Sequence, residues 1–211
     1  MLGRVIDRVK AVKGLDQVIV AVPDTPSNQP ILDFCATEPV LTYAGADTNV
    51  LRRYMDASIH YGVRVIMRVT ADCPVFDPVV AQTVLERFVA AQGAVSYVSN
   101  IDPPTFPDGL DTEVMMAWVL QIVWDSTDHP SYLEHVTSYL RQPHTQQVIH
   151  RANVAHDPDL STLRMTADTD EDLQWARAIY AALSTPGGHF TLPDILTYLR
   201  AHPSLARRAP R

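Results

Sequence analysis

Apolar positions along the chain recur at two spacings. Leu2, Val5, Ile6, Val9 and Val12 follow helical periodicity, and Gly14 is placed to stop that helix. Residues 17–22 then supply the β-branched run Val18, Ile19, Val20 and Val22, closed by Pro23, which predicts a strand. Residues 30–36 suggest a second helix and 40–43 a short strand ended by Gly45. Asp47 is a candidate cap for a helix carrying Val50, Leu51 and Tyr54 that stops near Gly62. Residues 63–69 are almost continuously apolar, as expected of a strand covered on both faces. A helix with Val79, Val80, Val84, Leu85 and Phe88 follows Pro78. Another spans 170–183, with Thr169 and Asp172 spaced as a capping box.

Strands alternating with helical crossovers predict an α/β fold, a mostly parallel sheet with helices on both faces. Three prolines, Pro103, Pro104 and Pro107, mark residues 101–109 as an ordered loop, because regular elements resume straight after it. The tail from Ala201, with Arg207, Arg208 and Arg211, is expected to fray. There is no glycine-rich phosphate loop in the sequence.

Composition narrows the class. With 211 residues, 46% of them hydrophobic and 19% charged, the chain has the make-up of a globular protein. The net charge of −7 argues against an unspecific nucleic-acid binder but not against a small anionic ligand, since clefts can be locally basic. Lys10 and Lys13 are the lysines; the other basic residues are arginines, whose planar fork suits phosphate and carboxylate. No apolar run approaches the roughly 20 residues of a spanning helix, and no signal peptide opens the chain. Cys35 and Cys73 make neither a disulfide scaffold nor a four-ligand zinc site. A cytoplasmic location fits best.

In open α/β sheets, ligands bind beyond the carboxyl ends of the strands. Arg68, Thr70 and Asp72 lead out of the buried run there, and a carboxylate at that place suits Mg²⁺, which takes one or two carboxylates plus substrate phosphates. An Asx-type turn before Pro74 explains Asp72 equally well. Asp168 lies just outside the helix at 170–183 and repeats the Thr-Ala-Asp of residues 70–72. Asp170, Glu171 and Asp172 read as first-turn acids favoured by the helix dipole. Asp108 and Asp111 fall in a turn around Gly109, and Glu134 and His135 sit at a predicted helix. Cys73 reads as a buried small hydrophobe. Trp118, Trp124 and Trp175 read as core.

In succession, several segments resemble the CMP-sugar synthetase family of cytidylyltransferases, in its spore-coat-polysaccharide-type branch. They are Leu-Gly-Arg-Val-Ile-Asp-Arg-Val at the start, Arg-Val-Thr-Ala-Asp-Cys-Pro at 68–74, Tyr-Val-Ser-Asn at 97–100, Pro-Asp-Gly-Leu-Asp at 107–111, Glu-His-Val-Thr at 134–137, and residues 163–173. The resemblance implies a nucleotide-diphospho-sugar transferase-like domain over 1–186, followed by a C-terminal helix and tail at 187–211. It implies transfer of CMP from CTP to a sugar, an acidic one by expectation, in surface-polysaccharide biosynthesis. By that resemblance Asp72 and Asp168 hold Mg²⁺, while Arg68, Thr70, Asp108, Asp111, Glu134, His135 and Arg164 line the substrate side. Expected partners are CTP and a sugar, with a homodimer allowed and neither nucleic acid nor membrane.

Ala71, Met165 and Asp170 depart from the family's usual glycine, tryptophan and proline. The larger departure is the first strand and its triphosphate-binding loop, which the family carries ahead of the first helix and which has no counterpart here. Three explanations stay open: a longer active chain, a non-catalytic sugar- or partner-binding relative, or a second chain that supplies the strand. The missing strand predicts a gap or exposed apolar groove in the sheet between residues 17–22 and 63–69.

Overall fold

The computed structural model describes residues 1–209. Helix α1 (Leu2–Lys10) leads to strand β1 (Ile19–Pro23), helix α2 (Gln29–Cys35), strand β2 (Leu41–Gly45), helix α3 (Val50–His60) and strand β3 (Val65–Arg68). Then come α4 (Pro78–Ala90), β4 (Tyr97–Ser99), β5 (Glu113–Met116), α5 (Trp118–Ser126), α6 (Pro130–Glu134) and β6 (Arg151–Asn153). Two long C-terminal helices, α7 (Asp170–Leu183) and α8 (Leu192–Ala201), complete the order. The helix predicted after Pro78 starts where expected because Asp77 caps it, accepting from Val79 N at 2.8 Å. The cap of α3 is Asn49 rather than Asp47: its side chain accepts from Arg52 N at 2.8 Å, while Asp47 offers only its carbonyl, to Arg53.

The strands fall into two sheets. β1 and β2 pair in parallel, and the second sheet runs β3-β5-β4-β6. Two pairings are parallel (β1–β2, β4–β6) and two antiparallel, the latter both made by β5. Among the described residues no strand joins β1 to β3. An apolar cavity of about 740 Å³ lies there instead, roofed by Val5, Ile6 and Val9 of α1 and walled by Val18, Val20 and Ile66. The gap expected from the sequence is present.

Core packing unites the chain's two ends with its middle. One cluster joins Val75, Phe106, Leu110 and Met165 to Trp175 and Ile179 of α7 and to Ile195 and Leu199 of α8. Buried Asp77 also accepts from Leu192 N at 2.5 Å, so the starts of α4 and α8 share one carboxylate. Arg8, 1% exposed, donates to the carbonyls of Phe76 and Phe190, fixing α1 to the same corner. Trp175 is core as expected, but Trp118 is 46% exposed, because it opens α5 on the outer face.

The tail does not fray over the described residues. Arg164 N donates to Arg207 O and Ala209 N to Thr162 O, each at 3.0 Å, so the tail adds a short extended segment beside 162–164. Its arginine density suggested a solvated end; backbone pairing and an ion pair hold it instead. Arg211 lies outside the described residues.

Candidate functional site

Several loops converge at one end of the second sheet. The segment after β3 carries Thr70 and Asp72, and the turn before antiparallel β5 carries Asp108 and Asp111. The segment 163–168 runs between that turn and the tail. Two backbone contacts lock these loops together: Ala167 N donates to Asp72 O at 2.8 Å, and Met165 N to Asp108 O at 2.7 Å. Gly109 is obligatory here. Its φ is +103°, and a Cβ would stand 2.8 Å from the Met165 carbonyl carbon.

Motif residues that bear no chemistry of their own hold this geometry. Asn100, 1% exposed, donates from Nδ2 to Leu110 O at 2.9 Å and accepts from Thr112 N at 2.8 Å, clamping the 107–112 turn to the end of β4. Glu113, paired with Arg68 in the β3–β5 register, takes Arg68 Nη1 on one oxygen and the Tyr97 hydroxyl on the other, each at 2.5 Å. Arg68 is thereby committed to a buried carboxylate, and burial with the Glu113 carboxylate pushes the Tyr97 hydroxyl well above its usual range.

Burial raises the Asp108 carboxyl above its ordinary range, and Asp72 and Asp168 add to the shift while Arg164 and Arg207 oppose it. Burial, with Asp108 and Glu113 adding, pushes Asp111 up to about 7. Asp168 Oδ2 is held by Arg164 Nη2 at 2.5 Å and by the Thr166 hydroxyl at 3.2 Å, and its side chain is 55% exposed. Cys73 is buried, and its thiol is raised chiefly by that burial and by Asp72, so it is no nucleophile. Thr70 donates to or accepts from Cys73 Sγ at 3.2 Å.

Glu134 and His135 stand elsewhere. They are exposed at the end of α6, a short helix packed against α3 through Leu133, and share no hydrogen bond or ion pair with the aspartates. Asp172 is more than the first-turn acid that the sequence suggested. It caps α7 and is also a buried ion-pair centre for Arg164 and Arg207. The capping-box spacing accounts for it so completely that nothing in the sequence separates the two roles; Arg207, in a tail that reads as loose, carried no signal at all.

Among the described residues no three His, Cys, Asp or Glu side chains converge as a closed metal cage would require. The donor types suit an open Mg²⁺ site of one or two carboxylates completed by substrate phosphates, since Asp72, Asp108 and Asp168 stand on loops joined backbone to backbone. Arg53, Arg64 and Arg68 line the cavity between the sheets, and Arg53 and Arg68 each have a buried Nε without a partner. No helix of the described residues is long and apolar enough to cross a membrane.

The fold is similar to that of solved cytidylyltransferase structures. A cytidylyltransferase structure from Leptospira borgpetersenii superposes with a TM-score of 0.90 at 22% identity, covering 100% of this chain and 87% of that one. The structure of CMP:2-keto-3-deoxy-manno-octonic acid synthetase complexed with CTP gives 0.61 at 16% identity, covering 86% and 87% of the two chains. In sequence, the chain is 24% identical over 198 residues to the spore coat polysaccharide biosynthesis protein SpsF of Bacillus subtilis, covering 92% of this chain and 79% of that protein. It is 27% identical over 178 residues to an uncharacterised protein of Methanocaldococcus jannaschii, covering 82% of this chain and 70% of that protein. No family model matches the chain. The resemblance to the CMP-sugar cytidylyltransferases stands in sequence and in fold.

Proposed function

We propose that the chain is a cytidylyltransferase that transfers CMP from CTP to an acidic sugar for surface-polysaccharide synthesis, with Asp72 and Asp168 holding Mg²⁺. The observation that carries this reading is the 2.8 Å bond from Ala167 N to Asp72 O, which brings together two Thr-Ala-Asp segments almost a hundred residues apart in the chain. The relatives' printed functions, cytidylyl transfer and spore coat polysaccharide synthesis, support it from outside the chain.

Bound there, Mg²⁺ would offset the charge that builds on the α-phosphate as a sugar hydroxyl attacks and pyrophosphate leaves. The chain's own residues do the rest by positioning. The Arg164 guanidinium holds one oxygen of Asp168 and leaves the other outside its ion pair. Asn100 and Gly109 set the turn that carries Asp108 and Asp111 toward the sugar side. Asp111, titrating near neutrality, suits a group that takes up the proton of the attacking hydroxyl. Arg53 and Arg64 bring positive charge to the cavity between the sheets, where an anionic nucleotide would be met.

A second reading, a non-catalytic sugar-binding relative, is favoured by that same cavity, which interrupts the sheet between β1 and β3. One assay separates the two: CTP-dependent pyrophosphate release with Mg²⁺ across a panel of acidic sugars. The cytidylyltransferase reading expects release that falls about 100-fold or more in Asp72→Asn and in Asp168→Asn, the scale of losing a preorganised electrostatic group. Sugar binding with no release contradicts it and selects the second reading.

A further inference from the structure

Behind Asp168 stands a relay of charges that reaches into the C-terminal tail. Asp172 Oδ1 accepts from Arg164 Nη1 at 3.0 Å and from Arg207 Nη1. Its Oδ2 accepts from Arg164 Nη2 at 2.8 Å and from the backbone N–H groups of Asp168 and Thr169, both at 3.0 Å. Arg207 makes a second contact, Nη2 to the Thr166 carbonyl at 2.7 Å, and its guanidinium lies 4.1 Å above the Trp175 ring. Its own carbonyl receives Arg164 N at 3.0 Å. Residues 164, 166, 168 and 172 are therefore all tied, directly or through one carboxylate, to a single arginine some 35 residues downstream of Asp172.

We propose that Arg207 is a positioning residue for the cation site: by gripping Asp172 and the Thr166 carbonyl it fixes the segment 164–168, which carries Asp168 and is bonded through its backbone to the loops of Asp72 and Asp108. This rests on the assignment of Asp168 to the cation in the proposed function. Arg207 touches neither reacting group nor phosphate in this scheme, and it acts through Asp172 and Arg164.

The sign of the effect distinguishes positioning from charge. Arg207 is a cation close to three carboxylates, so removing it by charge alone should tighten binding of a divalent ion. Positioning predicts the opposite. The probe is Mn²⁺ alone, its free concentration read by electron paramagnetic resonance against the full chain, at a temperature well below each variant's melting point. Arg207→Met is expected to raise the Mn²⁺ dissociation constant about tenfold, the low end for groups that orient a metal ligand. Arg207→Lys, which keeps the charge but not the planar fork, is expected to raise it only about two- to threefold. Unchanged or tighter binding in Arg207→Met overturns the proposal, and so does an Arg207→Lys no better than Arg207→Met. Should Arg207→Met fail to fold, Arg207→Lys carries the test, with about two- to threefold weakening expected and unchanged or tighter binding contradicting it. Asp168→Asn is the separate arm: if it binds Mn²⁺ as the wild type does, the cation assignment fails first, and this inference falls with it.

Discussion

Asp172→Ala should lower the unfolding free energy by about 3–5 kcal/mol, the range for removing one partner of a buried ion pair. The side chain is 7% exposed and answers two guanidinium groups and two backbone N–H donors. Its loss leaves Arg207 without its carboxylate partner and Arg164 with Asp168 alone, and it removes the Asp172 half of the α7 capping box. The dependence on acid follows the same contacts. Hydrogen bonds from Arg164 hold the carboxyl far below the usual carboxylate range, with the backbone donors adding. A carboxyl depressed in the folded state stabilises above its unfolded value of about 3.9 and loses that contribution as pH falls below it. Chemical unfolding at neutral pH and in acid therefore shows a large gap between wild type and Asp172→Ala that narrows in acid. A gap under about 1 kcal/mol at neutral pH would mean that the pair is as weak as an ordinary surface salt bridge.

Asp111→Asn should have the opposite pH signature. Burial, then Asp108 and Glu113, raise this carboxyl to about 7, and Arg68 and Arg141 oppose the shift. The folded state thus holds the proton more tightly than the unfolded chain. Stability is full below the unfolded value of about 3.9 and falls as pH rises toward the folded value. At 1.36 kcal/mol per unit, the loss across that window is at most about 4 kcal/mol. Asparagine carries no charge, so the variant escapes it. Urea unfolding followed by tryptophan fluorescence should show the variant gaining on wild type from about pH 5 to about pH 8, by up to about 3 kcal/mol. Histidines common to both proteins cancel in the difference. Parallel profiles would show that Asp111 is solvated and ionises freely.

The sequence makes the periodic parts of this fold legible and leaves the long-range pairings hidden. Residues 63–69 announce a strand by their almost continuous apolar run, although β3 is an end strand with Val65 43% exposed, and the capping box of α7 can be read directly from Thr169 and Asp172. What periodicity does not carry is the partner of a loop. Nothing local says that Ala167 will bond to Asp72, or that Arg207 will sit above Trp175. The repeated Thr-Ala-Asp was the one hint of the first. The second could not be inferred, because an arginine-rich end looks solvated until the buried carboxylate that receives it is known. Arg68 shows the converse: a residue placed at a strand end by the pattern is spent on a buried glutamate that its own register supplies.

The account's central claim is that Asp72 and Asp168 grasp a single divalent ion. A crystal soaked in Mn²⁺ with CTP, measured at the manganese absorption edge, tests it without reference to turnover. One anomalous peak bonded to carboxylate oxygens of both residues, at roughly 2.0–2.2 Å as for small divalent ions on oxygen, is the expected result. A peak on one of the two alone, or none at this end of the sheet, would contradict it.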